Sequence, residues 1–419
     1  MIIKNFKTLA ATKERRDALE IINSGIEAVL VKPLMHNQIK ISNNLLKIQD
    51  YEWDLSNYKR IFVVGAGKAA ADMAEAIEEI FNKRISKGIV IDTQGKKLSR
   101  VIVMKGTHPL PSNANIKATK MIMKLLEQTK KDDLIITLIS GGGSSLLISS
   151  KLNLDKQIEL NKMMLKRGAA IEEINTVRKH LSNVTGGQLA KLASPSTLIS
   201  LIVSDVITND LDVIASGPTV KDSTTMNDAK KIQKKYSLPK LPFIETPKNK
   251  ISDVTNILLV TNIYAAEAMK NKAVELGYKT NILSTQLKGE AKKVGKRLAG
   301  LLKSNCALIA TGETTVKVTG KGRGGRNQEL VLAAAKFIKR GVIVRCSSDG
   351  VDFITQAGGA IADENTKELA KKFHLNSNEF LKNNDAYNFL RKVNGLIVTG
   401  KTGTKIGDLF LALGNKEIV

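Results

Sequence analysis

Several stretches of this chain place glycine, hydroxyl and charged residues where short apolar runs end, which is where open α/β sheets present ligands. The first is Val63-Val64-Gly65-Ala66-Gly67-Lys68-Ala69-Ala70. A glycine turn here leaves a strand and opens a helix, where backbone amides and the helix dipole favour an anion. The spacing nearly matches a dinucleotide-binding fingerprint, with Ala70 at the third position and Asp92 at the end of the next strand. Lys68 adds a charge better suited to a phosphoryl oxygen than to a ribose. A tight turn with a surface lysine is the plainer reading.

The second stretch, Leu138-Ile139-Ser140-Gly141-Gly142-Gly143-Ser144-Ser145, again runs from a strand into glycines and hydroxyls. Glycines clear side chains away so that amides can wrap a phosphate or carboxylate, and the serines add donors. No Gly-Lys-Ser/Thr ends the run and no Gly-x-Ser-x-Gly is present, so neither a Walker loop nor a nucleophile elbow is encoded. In the third group, Ser204-Asp205-Val206 follows the run Leu198 to Val203 and precedes Asp210, Asp212 and Ser216-Gly217-Pro218-Thr219. Asp205 can accept a hydroxyl proton or hold Mg²⁺ through oxygen; a helix-capping aspartate is the alternative.

The fourth group is the densest: Thr311-Gly312-Glu313-Thr314, then Gly320-Lys321-Gly322-Arg323-Gly324-Gly325-Arg326-Asn327-Gln328-Glu329, leading into a helix Leu330 to Ile338. Glycine-rich backbone loaded with Lys and Arg at a helix start has the chemistry of a phosphate clamp, because the planar arginine fork binds two phosphate oxygens at once. A surface loop is the competing reading. A fifth group, Ser347-Ser348-Asp349-Gly350-Val351-Asp352, closes another strand with carboxylates, and Thr399-Gly400-Lys401-Thr402-Gly403-Thr404 closes one with hydroxyls.

Alternating strand and helix patterns must position these groups. Strands are expected at Ile61 to Val64, Gly88 to Ile91, Val101 to Met104, Leu134 to Leu138 and Leu198 to Val203, with helices at Ala69 to Phe81, Asn113 to Thr129 and Asp155 to Leu181. This is the signature of βαβ units on a mostly parallel sheet. A charged, proline-bearing span from Lys221 to Ser252 reads as a linker. Alternation then resumes with strands near Ile257 to Val260, Thr280 to Leu283, Ala307 to Ala310, Val342 to Arg345 and Leu396 to Val398, and helices around Tyr264 to Leu276 and Glu290 to Leu302. At 419 residues, two α/β domains are expected.

Lysine and arginine number 65 against 40 acidic residues, a balance that suits anionic substrates or a solvated basic surface. With aromatics at only 4% and the lysines spread along helices, nucleic acid is not the expected partner. No apolar run approaches the roughly 18 residues of a membrane span, and no leader pattern opens the chain. Cys306 and Cys346 adjoin apolar runs and imply no disulfide framework, so a reducing cytoplasm fits. His36, His108, His180 and His374 have no partner at metal-ligand spacing, so zinc is not expected and each reads as a core or surface histidine.

Taken in order from about Ala18 to Leu413, these motifs resemble the glycerate 2-kinase family, also called the MOFRL family. The telling pieces are Gly65 to Ala70, Gly106-Thr107-His108-Pro109, Ser140 to Ser145, Asn175-Thr176-Val177-Arg178-Lys179-His180-Leu181-Ser182, Ser204-Asp205-Val206, Ser216-Gly217-Pro218, Gly320 to Glu329 and Ser348-Asp349-Gly350. The resemblance implies a larger Rossmann-like parallel-sheet domain, placed at 1–245, and a smaller α/β MOFRL domain at 246–419, facing each other across an active-site cleft. The extreme C-terminus is expected to pack back on the first domain. The implied reaction is ATP- and divalent-metal-dependent conversion of D-glycerate to 2-phosphoglycerate, an Entner–Doudoroff type of step, with Lys68 and Arg326 as the principal active-site cations.

The site is then expected to divide as follows. Lys68, Arg326 and Asp205 are catalytic; Ser140, Gly141, Gly142, Gly143, Ser144, Ser145 and Arg178 bind substrate; Gly65, Gly67, Glu313, Gly322, Gly324, Gly325, Asn327 and Glu329 bind nucleotide. Asp205 and Asp349 are the candidates for Mg²⁺ or another divalent cation. Thr185, Gln188, Lys401 and Lys405 depart from the family pattern at positions where lysine, arginine, proline and asparagine are usual. A homodimer is one assembly left open, with no membrane partner. Two rivals stand beside this reading: a hydroxypyruvate or glycerate oxidoreductase using NAD(P)H at the Gly65 turn, and a non-catalytic basic binding protein.

Overall fold

A computed structural model describes residues 1–249, 251, 253–353 and 355–416. Ser252, the far end of the expected linker, and residues 417–419, the extreme C-terminus, lie outside them. The chain forms two compact units, Val31–Leu259 and Met1–Leu30 with Val260–Val419. The boundary therefore falls beyond the expected 245/246, and the first thirty residues belong with the C-terminal half. Their helix Lys13–Glu27 buries Ala18, Leu19, Ile21, Ile22 and Ile26 on one stripe. That stripe docks on the helix Asn262–Glu275, where a Cβ at Gly25 would stand only 2.6 Å from the Met269 side chain. Tyr278 donates its hydroxyl proton to Asp17 at 2.8 Å, and Arg15 pairs with Asp363 at 3.1 Å.

The first unit is built on a six-stranded sheet in the order Val101–Lys105, Ile85–Asp92, Arg60–Ala66, Asp133–Ile139, Thr197–Val203, Val254–Val260. The first five strands pair in parallel. Asp133–Ile139 is buried along its whole length, as expected when helices cover both faces. The chain winds outward from Arg60–Ala66 in one direction, then returns to its other side with Asp133–Ile139. The order thus switches between these two neighbours, and their carboxyl ends carry the Gly65 and Ser140 motifs, the crevice position where open α/β sheets bind ligands.

Val254–Val260, expected in the second domain, is instead an edge of this sheet. Its first three residues are only partly buried, which suits an edge, and nothing in an apolar run specifies which sheet it joins. The expected helix over 155–181 divides into Leu154–Lys166 and Ile171–Lys179. Gly168, with φ of +73°, ends the first, and the Glu173 carboxylate accepts the Ala170 amide at 3.0 Å to start the second. Within the expected linker lies the helix Met226–Lys235. A small antiparallel meander, Ile39–Ser42, Leu45–Ile48 and Tyr51–Asp54, has no counterpart in the sequence reading. Asn43 and Asn44 turn its first hairpin with φ of 47° and 67°, the left-handed pair that asparagine tolerates.

The second unit holds a mixed sheet ordered Lys279–Leu287, Cys306–Gly312, Asp408–Leu413, Val342–Ser347, Gly359–Asp363, Leu396–Ile397. Only the first pair is parallel. Asp408–Leu413 and Gly359–Asp363 carry no strand expectation, yet the former lies inside the sheet and is buried throughout. The helix Arg326–Ala335 starts four residues earlier than its apolar pattern suggests and buries Asn327 through Ala335.

Candidate active site

Three adjacent strand ends bring the first-unit motifs together. A Cβ at Gly67 would stand 2.0 Å from Ser140 Oγ, so the two turns press together where Gly67 carries no side chain. Gly65 makes the same close approach to the Leu138 backbone, at 2.2 Å. The amides of this turn are taken internally. Gly67 N donates to Ile91 O at 3.1 Å, Lys68 N to Gly141 O at 2.9 Å, Ala69 N to Ser140 Oγ at 3.1 Å and Ala71 N to Asp92 at 2.9 Å. Asp92 is buried, which raises its pKa, and it also accepts the Gln94 amide at 2.9 Å.

The Gly141–Gly143 turn is a meeting point. A Cβ at Gly141 would lie 2.0 Å from Asp205 Oδ2, one at Gly142 3.0 Å from His108 Cδ2 and 3.2 Å from Lys68 Cε, and one at Gly143 2.5 Å from Ala215 Cβ. Gly142 also has φ of +84°, so a side chain there meets both strain and neighbours. Lys68, His108 and Asp205 are each half-buried. Beyond the turn, Ser144 and Ser145 line a cavity with Arg178, Asn161, Ser182, Thr185, Ser216 and Pro111. Arg178 donates through Nε to Asn161 Oδ1 at 2.9 Å, and burial lowers its pKa from the ordinary range.

Ser216 reaches this cavity through an unusual backbone. Ala215, Ser216 and Gly217 have φ of 51°, 60° and 56°, and a non-glycine residue so placed costs about 1–3 kcal/mol. The amides of Gly186 and Gly187 hold the turn by donating to Ser216 O at 2.8 Å and Gly217 O at 2.7 Å. The result sets Ser216 Oγ 2.9 Å from Ser144 Oγ. Neighbouring motif residues turn elsewhere: Lys179 pairs with Asp222 at 3.3 Å and Asp212 at 3.5 Å, and His180 is fully buried beside Glu245 at 3.2 Å. Thr185 and Gln188 are also buried.

The second unit organises its charge differently. Arg326, the first residue of its helix, donates through Nε and Nη2 to Asp408 at 2.6 and 3.0 Å and through Nη1 to Glu313. Burial opposes its charge, but Asp408 and Glu313 more than offset this and raise its pKa. Asp408 is shared with Arg345 at 3.2 Å, and both are fully buried. Burial would raise the Asp408 carboxyl, yet Arg345 and Arg326 hold it below the usual range. Asp352 caps the same helix, accepting Asn327 N at 3.3 Å and Gln328 N at 2.9 Å, and burial pushes it up to about 7.

The glycine-rich loop before Arg326 lies on its own chain. A Cβ at Gly322 would stand 2.4 Å from Asp385 Cβ, and one at Gly325 2.1 Å from Asp352 Oδ1. The amides of Thr319 and Gly320 donate to Asn384 Oδ1, those of Lys321 and Gly322 to Asn383, and that of Arg323 to Asp385, at 2.7–3.1 Å. Gly324 packs on Ala386. The backbone expected to cradle phosphate at Gly322 is thus engaged with residues 383–385, leaving Lys321 and Arg323 as exposed side chains. Asn327 and Glu329 likewise face inward: Asn327 accepts from Arg345 Nε at 2.6 Å, and Glu329 accepts from Asn384 at 2.9 Å, with burial raising its pKa.

Asp349 accepts from Ser347 Oγ at 2.7 Å and Val351 N at 3.0 Å, with Lys405 at 3.9 Å. Asp205 and Asp349 belong to different units, and among the described residues no three His, Cys, Asp or Glu side chains cluster to hold a metal. A Mg²⁺ bound with substrate phosphates takes only one or two carboxylates, so a half-buried strand-end carboxylate such as Asp205 fits that role.

Sequence spacing misses four residues that build these sites. Fully buried Asn115 donates to Thr107 O at 2.9 Å and Ser145 O at 2.8 Å and accepts the Thr107 amide at 2.9 Å, tying the His108 loop to the serines. Arg345 and Asp408 do leave a signal, each being a charge set against an apolar run. His108 leaves only its motif.

Residues 17–244 match the family described as a domain of unknown function, DUF4147, and residues 306–408 match the MOFRL family. A D-glycerate 2-kinase from Thermotoga maritima is 39% identical over 94% of this chain and 97% of its own. A crystal structure of glycerate kinase from the same organism matches with a TM-score of 0.87 at 36% identity, covering 95% of this chain and 99% of that one. An Agrobacterium vitis protein with a provisional hydroxypyruvate reductase name is 35% identical over 84% of this chain and 86% of its own.

Proposed function

Because the chain belongs to the MOFRL family of glycerate 2-kinases, we propose that it transfers the terminal phosphoryl group of ATP to the 2-hydroxyl of D-glycerate, releasing ADP and 2-phosphoglycerate. The observation that carries this reading is the Gly141–Gly143 turn, where Lys68 and Asp205 converge beside a cavity lined by Arg178 and serine hydroxyls. Glycerate is a small carboxylate bearing two hydroxyls. The Arg178 guanidinium matches its carboxylate, and Ser144, Ser145 and Ser216 offer donors and acceptors to its hydroxyls.

Phosphoryl transfer asks for positioning and charge neutralisation rather than covalent chemistry from the protein. Lys68 supplies a point charge to the transferring group. Arg326 has three of its guanidinium N–H donors engaged by Asp408 and Glu313, so the fork is fixed before substrate arrives and two donors remain for phosphoryl oxygens. Since Asp352 takes the Asn327 and Gln328 amides, nucleotide contacts are assigned to the Arg326, Arg323 and Lys321 side chains and to the Glu313 and Gly324 backbone. Mg·ATP, as substrate, brings the phosphoryl group and a divalent charge that shields it. Asp205 is the carboxylate assigned to that metal, with Asp349 its counterpart in the second unit.

A nicotinamide enzyme would need amides at the start of the helix Ala70–Phe81 for a pyrophosphate. Those of Lys68, Ala69 and Ala71 already donate to Gly141, Ser140 and Asp92, which disfavours that alternative. Purified protein given D-glycerate, ATP and Mg²⁺ is expected to release ADP only when glycerate is present. NADH oxidation with hydroxypyruvate and no ATP would favour the reductase instead. Arg326→Ala is expected to lower turnover about 10³-fold or more, by analogy with arginine fingers; near-normal turnover would remove Arg326 from the chemistry.

A further inference from the structure

The helix Ile171–Lys179 closes on Arg178 and Lys179, with His180 as the next residue, and these three side chains find different surroundings. Lys179 pairs with Asp222 and Asp212, and His180 lies beside Glu245. Arg178 instead lines the serine-rich cavity, where the acceptor that meets its Nε is a neutral one, Asn161 Oδ1 at 2.9 Å. Burial lowers its pKa, with no carboxylate among the described residues to offset the shift. A half-buried guanidinium kept without a countercharge is a position left open for an anion.

Asn161 is set in place by the preceding helix, Leu154–Lys166, which opens on Asn153, whose side chain accepts the Lys156 amide at 2.9 Å. Gln157, Leu160 and Asn161 fall at helical spacing on one face, and all three line the cavity. The Gln157 amide is engaged locally, donating to Leu152 O at 2.8 Å. Leu160 and Met164 of this helix share an apolar cluster with Ile174, Val177 and Leu181 of the next helix and the residues after it. That contact fixes the separation of the two helices, and with it the approach of Asn161 to Arg178.

An acceptor at Nε does two things. It occupies the side of the fork on which a carboxylate could bind through Nε and one Nη, so that a ligand is received by the Nη1 and Nη2 end in one orientation. Because the amide oxygen is neutral, it also leaves the guanidinium charge unanswered, whereas an aspartate at the same place would make the same bond and neutralise that charge. We propose that Asn161 is a positioning residue for the substrate, aiming Arg178 at the glycerate carboxylate while leaving the charge of Arg178 for that carboxylate alone. Asn161 acts through Arg178 and takes no part in the transfer itself. This assignment rests on the kinase reading and deepens it.

The test compares wild type with Asn161→Ala and Asn161→Asp, measuring kcat, KM for D-glycerate and KM for ATP, together with D-glycerate binding by calorimetry in the absence of ATP. Loss of a hydrogen bond to a charged group is expected to raise KM and Kd for glycerate about 10-fold in Asn161→Ala. Asn161→Asp keeps the size and the hydrogen bond but adds a competing carboxylate, and is expected to raise both about 100-fold. In both variants kcat and KM for ATP are expected to stay within a few fold of wild type. A merely structural role predicts the reverse order, since aspartate preserves the contact that alanine deletes, and the isosteric variant carries the test if alanine loosens the helix. Asn161→Asp with the wild-type KM for glycerate, or a loss shared by kcat and KM for ATP, would overturn the assignment. A wild type that neither binds glycerate nor releases ADP with it would instead overturn the kinase reading itself.

Discussion

In the parallel-sheet unit, the glycines of the Gly141–Gly143 turn stand where side chains arrive from other elements, Asp205 against the first and Lys68 with His108 against the second. In the mixed-sheet unit, Gly320, Gly322 and Gly324 stand against the chain at Asn383–Ala386, and the intervening amides bond to it. Both stretches are glycine-rich runs that lead into a helix, the first joined by hydroxyls and the second by lysine and arginine. The first clears space for functional side chains, whereas the second seats a loop so that one side chain, Arg326, projects from a fixed helix start. A glycine-rich motif is thus defined by what fills the space its missing side chains leave.

The contrast can be broken most forcefully at Asp408, which holds both Arg326 and Arg345. Asp408→Ala leaves Arg345 buried without its carboxylate and is expected to cost about 3–5 kcal/mol of stability, read from urea denaturation. A loss below about 1 kcal/mol would mean that Asn327 and the Gly312 carbonyl suffice for Arg345.

A matched pair of glycine substitutions sharpens the comparison. Gly141→Ala drives a methyl group into the Asp205 carboxylate and is expected to reduce kcat about 100-fold through misplacement of reacting groups. Gly322→Ala meets Asp385 and the Asn383 carbonyl and is expected to lower stability by about 1–3 kcal/mol, with kcat of the folded protein within a few fold of wild type. Equal losses of kcat in the two variants would erase the distinction between the loops.

The smallest expected effect is one of pH. Burial lifts Asp352 to about 7 from 3.8, so the native state holds this proton more tightly than the unfolded chain does. The stability Asp352 contributes is therefore full below about pH 4 and is lost as pH rises through 7. Asp352→Asn should gain on wild type by on the order of 1 kcal/mol between pH 6 and pH 8, measured by urea midpoints. A difference that stays flat with pH would show Asp352 ionised throughout as the helix cap.

Much of the first unit is legible in the sequence, because each strand that ends in a motif is a continuous apolar run that gives way to small or polar residues. The strand end at Val203 falls where expected, those at Ala66 and Ile139 two and one residues beyond the expected Val64 and Leu138, and the association of Ser144 and Ser145 with Arg178 follows once the family resemblance orders the motifs. Pairings between distant segments are not legible. Arg345 and Asp408 sit on neighbouring strands but 63 positions apart, and no periodicity links them. The helix Lys13–Glu27 shows its apolar stripe plainly, yet amphipathicity names no partner, so its place with the C-terminal half emerges only in three dimensions. His108 illustrates the same limit, since its neighbours come from the ends of different strands.

The measurement that bears most directly on the account is the identity of the product. Protein incubated with D-glycerate, ATP and Mg²⁺ is supplied with enolase and no phosphoglycerate mutase, and phosphoenolpyruvate is followed by absorbance. Immediate conversion is the predicted result, because enolase acts on 2-phosphoglycerate alone. ADP release with a product that enolase leaves untouched would contradict phosphorylation at the 2-hydroxyl.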